Sequence, residues 1–186
     1  MNYLKIFSTV VLLTGINISM AQTAGPFSKG TTIYIVRHAE KLSGKDPLLT
    51  EAGNTRAGDL MRTLKDKKVD RIYVTEYKRT QNTADSLRIQ LDIDTVQINA
   101  DTTCSSLFTA ISSKNDWSKK ILIVTHSNII PKIIYKLGIT SFPQENIPDT
   151  EFDNLYIISI KNKKPVLGHV KYGKSSAASA AMQKMQ

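Results

Sequence analysis

Ile33-Tyr34-Ile35-Val36-Arg37-His38-Ala39-Glu40 is the stretch that decides how this chain is read. Four consecutive apolar residues, rich in β-branched and aromatic side chains, predict a buried strand. An arginine and a histidine follow where that strand stops. In an open α/β sheet, ligands bind at the carboxyl ends of strands. A fixed cation beside a group able to act as nucleophile or proton carrier points to an anionic, phosphorylated substrate.

Two further segments repeat the arrangement. Arg71-Ile72-Tyr73-Val74-Thr75 predicts a second short strand, followed by a helix from about Lys78 to Leu91 whose first turn holds Arg79. Ile121-Leu122-Ile123-Val124-Thr125 predicts the most apolar strand, with His126 immediately after it and a helix carrying Ile130, Ile133, Ile134 and Leu137 beyond. Between the first two strands, Gly44 and Pro47 mark a loop. Thr50 caps a helix that runs to about Lys65 through Ala57, Leu60, Met61 and Leu64. Thr95 to Ile98 is a weaker strand, and a modest helix extends through Ile111. Leu155 to Ile160 and Pro165 to Tyr172 read as a terminal hairpin.

Strand alternating with helix predicts an α/β fold. We expect a three-layer α/β/α sandwich with a mostly parallel central sheet and an antiparallel C-terminal hairpin at its edge.

Parallel strands bring Arg37, His38, Arg79 and His126 to one rim of the sheet, where the helix after His126 is expected to add backbone N–H groups and its dipole. Two arginines and two histidines suit a dianion, and arginine's planar fork can grip phosphate oxygens in pairs. The sequence has no carboxylate cluster for Mg²⁺, no glycine-rich phosphate loop, and no Cys or Ser in a nucleophile elbow. His38 remains as the nucleophile. A neutral imidazole attacks phosphorus in line and gives a phosphohistidine that water hydrolyses. Neighbouring arginines are expected to depress its pKa, and His126 with the arginines to stabilise the equatorial oxygens in the transition state. Metal and cofactor are both expected to be absent.

Arg37-His38-Ala39-Glu40-Lys41 resembles the Arg-His-Gly/Ala-Glu motif of the histidine phosphatase superfamily, relatives of the cofactor-dependent phosphoglycerate mutases. Asp46-Pro47-Leu48-Leu49-Thr50-Glu51-Ala52-Gly53 resembles the segment opening that family's first helix. Thr75 to Ala84 resembles its second-arginine motif, and Val124-Thr125-His126-Ser127-Asn128 its second-histidine motif. The four occur in the family's order between residue 33 and about residue 160. The resemblance implies the phosphoglycerate mutase-like fold, His38 as nucleophile, and Arg37, Arg79 and His126 as the phosphate pocket.

A proton donor for the leaving group is not assigned by the resemblance. The acid-phosphatase branch places an Asp directly after the second histidine, where this chain has Ser127. The mutase-like branch uses a Glu after the second-arginine helix. The nearest equivalents are Asp101 by position, ranked first, and Glu76 by proximity to Arg79. A phosphohistidine or aryl phosphate substrate would need no acid.

A chain of 186 residues has room for one domain. Lys5, the apolar run from Ile6 to Ile16, and Ser19-Met20-Ala21 predict a signal peptide over residues 1–21. The run is shorter than the ~20 residues a membrane span requires. The catalytic domain is expected over 22–172, and a Ser/Ala-rich disordered tail over 173–186. The protein is therefore expected to be exported, to the periplasm or beyond. Loss of Lys5 takes the formal charge from +9 to +8. The lysines are scattered, which suits steering of anions better than a nucleic-acid footprint. A single cysteine, Cys104, excludes an intrachain disulfide.

The leading expectation is an exported phosphatase acting on small-molecule or protein-borne phosphomonoesters, or on phosphohistidine, with no nucleic-acid partner and no membrane span. A phosphoglycerate mutase-type transferase and a catalytically weak phosphate-binding module stay open beside it, and oligomeric state is not specified by the sequence.

Overall fold

A computed structural model describes residues 30–143, 145–161 and 164–176. The expected signal peptide and the leader up to residue 29 lie outside the described residues, as does the tail from 177 onward.

Six strands form one sheet: β1 (Thr32–Arg37), β2 (Arg71–Thr75), β3 (Thr95–Ile98), β4 (Lys120–Thr125), β5 (Asn154–Lys161) and β6 (Lys164–Lys171). They lie in the order β3-β2-β4-β1-β5-β6. The first four are parallel, while β5 pairs antiparallel with β1 and β6 with β5. The expected hairpin is thus present at the edge of a mostly parallel sheet.

The β1 side chains alternate between two cores, as the pleat requires. Ile33 and Ile35 face a cluster that includes Leu107, Ile111, Ile130, Ile133 and Ile134, from α3 (Ser105–Ser113) and α4 (Ile130–Lys136). Tyr34 and Val36 face Leu60, Leu64, Ala84 and Leu87, from α1 (Glu51–Leu64) and α2 (Lys78–Leu91). Helices on both faces give the three layers. Leu60 and Leu64 are fully buried, each contributing about 2 kcal/mol relative to an exposed side chain.

The start of α1 is fixed to the first motif. Thr50 Oγ1 accepts from Gly53 N at 3.0 Å, and Thr50 N donates to Glu40 O at 2.9 Å. A Cβ at Gly53 would lie 2.1 Å from Glu40 O, so this approach requires glycine.

Two expectations need correction. Residues 173–176, assigned to a disordered tail, are bonded to the body of the domain. Ser176 is buried, its Oγ accepts from Phe152 N at 2.9 Å, and Lys174 O accepts from Arg56 Nη1 at 3.0 Å. Backbone and hydroxyl groups make this anchor, so the segment needs no large apolar residue. The helix after His126 begins at Ile130, with Pro131 in its first turn. The amides of Ile129 and Ile130 both donate to His126 O, at 3.0 and 3.1 Å. Those N–H groups are satisfied by a turn, and α4 has only 7 residues, so it does not supply the anion site anticipated for its N-terminus.

Among the described residues, no helix is long and apolar enough to cross a membrane. Cys104 is a buried free thiol, pushed up to about 11 by burial. His169 is occupied in the hairpin, where Nε2 lies 2.8 Å from Asn154 Oδ1 and the ring stacks on Tyr156.

Candidate active site

The β1–β4 register sets Arg37 beside Thr125, so His38 and His126 emerge together at the carboxyl rim. His38 N donates to Thr125 O at 2.9 Å, extending the ladder one step beyond β1. The imidazole centroids are 5.5 Å apart with an edge-on geometry. Arg79 joins from the first turn of α2, with Nη2 3.5 Å from His126 Nδ1. Arg37, His38, Arg79 and His126 therefore form one cluster.

Hydrogen bonding sets both imidazole tautomers. His38 Nδ1 lies 2.8 Å from Ala39 O. A carbonyl only accepts, so Nδ1 carries the proton and Nε2 presents its lone pair. His126 Nδ1 faces an arginine N–H, which only donates. Its Nε2–H accordingly donates to Thr75 Oγ1 at 3.0 Å.

Both rings are buried. Burial is the main reason the His38 pKa is lowered to about 3, with the positive charges of Arg37 and Arg79 adding to it and the Ala39 contact opposing it. Burial followed by Arg79 and Arg37 lowers His126 to about 4. Desolvation is thus a larger cause of the depression than the neighbouring arginines expected from the sequence. At neutral pH both imidazoles are uncharged.

Each arginine is held by an aromatic ring. The Arg37 guanidinium lies 4.3 Å from the centroid of Phe152, and that of Arg79 lies 4.1 Å from the centroid of Tyr77. Tyr77 also meets His126 edge-on, and Phe152 lies beside His38. Arg37 Nη1 donates to Pro148 O at 2.9 Å, and Nη2 contacts Asp149 Oδ1 at 3.1 Å. The Nε–H groups of Arg37 and Arg79 are buried and have no protein acceptor. Buried donors are paired in all but a few cases. Two such donors on guanidinia beside two neutral imidazoles make a receptor for a compact oxyanion.

Glu40 does not line this pocket. It receives Arg56 Nε at 3.0 and 2.8 Å and Arg56 Nη2 at 2.7 Å in a buried, bidentate ion pair. Arg56 also donates to the carbonyls of Tyr172 and Lys174, joining the first motif to the C-terminal segment.

The two carboxylates considered as proton donors are otherwise engaged. Asp101 bonds the Thr103 hydroxyl and accepts from Ser105 N and Ser106 N at 3.1 and 3.2 Å, capping α3. Those bonds, led by the one to Thr103, lower its pKa, and a lowered pKa leaves less acid to donate. Glu76 Oε2 accepts from Ala100 N at 2.8 Å. No hydrogen bond or ion pair joins either to Arg37, His38, Arg79 or His126. Among the described residues, no group of three or more His, Cys, Asp or Glu is placed to hold a metal ion.

Several residues that support the site were not singled out from the sequence. Thr75 orients His126, and the Thr83 hydroxyl accepts from Ala39 N at 2.9 Å. Tyr77 and Phe152 pack on the arginines. Thr75 and Tyr77 lie inside the second-arginine segment and had a positional signal; Phe152, 115 positions beyond Arg37, had none.

Residues 33–102 match the histidine phosphatase superfamily (branch 1). The match includes Arg37, His38 and Arg79 and ends before His126. No curated protein matches the chain. Its fold is shared with several solved structures. One is the alpha-ribazole phosphatase from Shigella flexneri, with TM-score 0.58, 18% identity, and coverage of 75% of this chain and 96% of that one. Another is the protein histidine phosphatase SixA complexed with tungstate, with TM-score 0.55, 17% identity, and coverage of 75% and 96%. A third is a phosphoserine phosphatase from Entamoeba histolytica in complex with 3-phosphoglyceric acid, with TM-score 0.53, 18% identity, and coverage of 78% and 98%.

Proposed function

We propose that this chain, of the histidine phosphatase superfamily by its matched residues 33–102 and its fold, is a metal-independent phosphatase that works through a phosphohistidine on His38. The observation carrying this reading is the His38 tautomer. Nδ1 is committed to Ala39 O, and Nε2 keeps its lone pair beside two unpaired guanidinium N–H groups.

In the first step, the arginine donors hold the phosphoryl oxygens and Nε2 attacks phosphorus in line. The P–N bond forms as the P–O bond to the leaving group breaks. A low imidazole pKa keeps the nucleophile unprotonated down to acidic pH. His126 lies next to the same oxygens. A bound dianion favours its protonated form, which turns Nδ1 into an additional donor to the developing charge. In the second step, water attacks the phosphohistidine and releases inorganic phosphate.

The substrate class is a phosphomonoester or a phosphohistidine, borne by a small molecule or a protein. We also propose that residues 1–21 direct export and are removed, so that the enzyme acts in the periplasm or outside the cell. Protein recovered from that compartment then begins at Gln22.

Hydrolysis of p-nitrophenyl phosphate in excess EDTA tests the reaction class. The purified protein is expected to turn over with no loss on chelation, and His38→Ala to be inactive. Undiminished activity in His38→Ala contradicts the assignment.

A further inference from the structure

We propose that Asp149 is the catalytic proton donor to the leaving group, an assignment that rests on the phosphatase reading above. Its carboxylate is in direct contact with a phosphate-binding guanidinium, Oδ1 lying 3.1 Å from Arg37 Nη2.

The segment around Asp149 is built onto that same group. Pro148 O accepts from Arg37 Nη1, and the Phe152 ring covers the guanidinium face. The backbone is thereby fixed beside the guanidinium while the Asp149 side chain stays exposed. It is 93% exposed. The carboxylate end of the pair is in solvent, so an incoming phosphate can displace or share it. Arg37 Nε, one bond from Cζ and unpaired, offers the phosphate a place on the guanidinium edge that Asp149 contacts.

The direction of departure also fits. His38 is buried, and the leaving oxygen must depart opposite the attacking Nε2, toward solvent. Asp149, 93% exposed beside the Arg37 guanidinium, stands at the solvent side of the cluster. The remaining nearby carboxylates have other duties. Glu40 is bound to Arg56, Glu76 to Ala100 N, and Asp101 to the start of α3. Asp46 also reaches a site guanidinium, Oδ1 lying 3.8 Å from Arg79 Nη1, but the same oxygen accepts from Lys78 N at 3.0 Å at the start of α2. Among the described residues, the Asp149 carboxylate pairs with Arg37 alone.

The proton balance closes over one turnover. As Nε2 bonds to phosphorus, the ester P–O bond breaks and its electron pair goes to the leaving oxygen, which takes the proton of the Asp149 carboxyl. The carboxylate so formed accepts a proton from the water that attacks the phosphohistidine. Phosphate, alcohol and the protonated carboxyl are regenerated, with no other reactant.

A donor matters most for a poor leaving group, so the test compares two substrates. kcat/KM is measured for β-glycerophosphate, an alkyl ester, and for p-nitrophenyl phosphate, with wild type, Asp149→Asn and Asp149→Glu. We expect Asp149→Asn to lower the alkyl ester value by about 10²–10⁴-fold while the aryl ester changes little, and Asp149→Glu to recover part of the loss. Equal losses on both esters would assign Asp149 to positioning Arg37 and overturn the proposal. No loss on either ester, or a wild type that hydrolyses only the aryl ester, would overturn it as well. The phosphatase reading fails separately, on a wild type inactive toward both esters or an active His38→Ala.

Discussion

Replacing Glu40 by Gln leaves the shape of the site almost unchanged and removes one charge from a buried pair. Glu40 and Arg56 make three contacts of 2.7–3.0 Å, with both side chains shielded from water. Burial by itself lowers the Arg56 pKa, and the bonds and charge of Glu40 outweigh it to give a net rise. In Glu40→Gln the guanidinium stays buried, holding the Tyr172 and Lys174 carbonyls but no counter-charge. Breaking a buried pair in this way costs on the order of 3–5 kcal/mol, a large part of the 5–15 kcal/mol that stabilises a typical domain. Removing both charges in Glu40→Gln/Arg56→Met leaves neither ion stranded and is expected to recover most of the loss. Urea unfolding at pH 7, with the slope checked for constancy, measures each variant. A cost below about 1 kcal/mol for Glu40→Gln, or a double variant no better than the single, would refute the view that this pair staples the first motif to α1 and the C-terminal segment.

Other substitutions and conditions probe separate parts of the account. Gly53→Ala places a methyl 2.1 Å from Glu40 O, a backbone atom two residues from His38; thermal melts should show destabilisation of about 1–3 kcal/mol or more, and activity should fall with it. Stability should also decline as the pH falls below about 6.5. His38 and His126 titrate near 3 and 4 in the folded protein, so between those values and the ordinary 6.5 the unfolded chain binds more protons. Stability is full above 6.5 and drops by up to about 1.4 kcal/mol per pH unit for each histidine. Urea midpoints at pH 7, 6 and 5 measure the slope, and His38→Gln should remove about half of the histidine contribution.

Strands were legible where a short apolar run ends in turn-forming or charged residues, as at Arg71–Thr75 and Thr95–Ile98. The principal site residues were legible for a related reason. Arg37, His38 and His126 each sit within two residues of a strand end, and parallel topology brings such positions together whatever the loops do. Contacts between distant segments left no local trace. Arg37 meets Asp149 across 112 positions and Phe152 lies over the same guanidinium. Neither residue stands in a pattern of its own, whereas Asp101 and Glu76 carry the positional signal for a proton donor. Composition misled in the tail as well. A Ser/Ala-rich stretch lacks apolar anchors, yet Ser176 is held through Phe152 N and Asp153.

The central claim is that phosphorus passes through His38, and trapping it there is the most direct test. Wild type and His38→Ala are mixed briefly with a ³²P-labelled phosphomonoester, quenched in alkali, digested and mapped by mass spectrometry. Wild type should carry an acid-labile, alkali-stable phosphate on the peptide containing His38, and the variant no labelled peptide. Label on another residue, or rapid hydrolysis by wild type with no trapped phosphohistidine under any quench time, would contradict it.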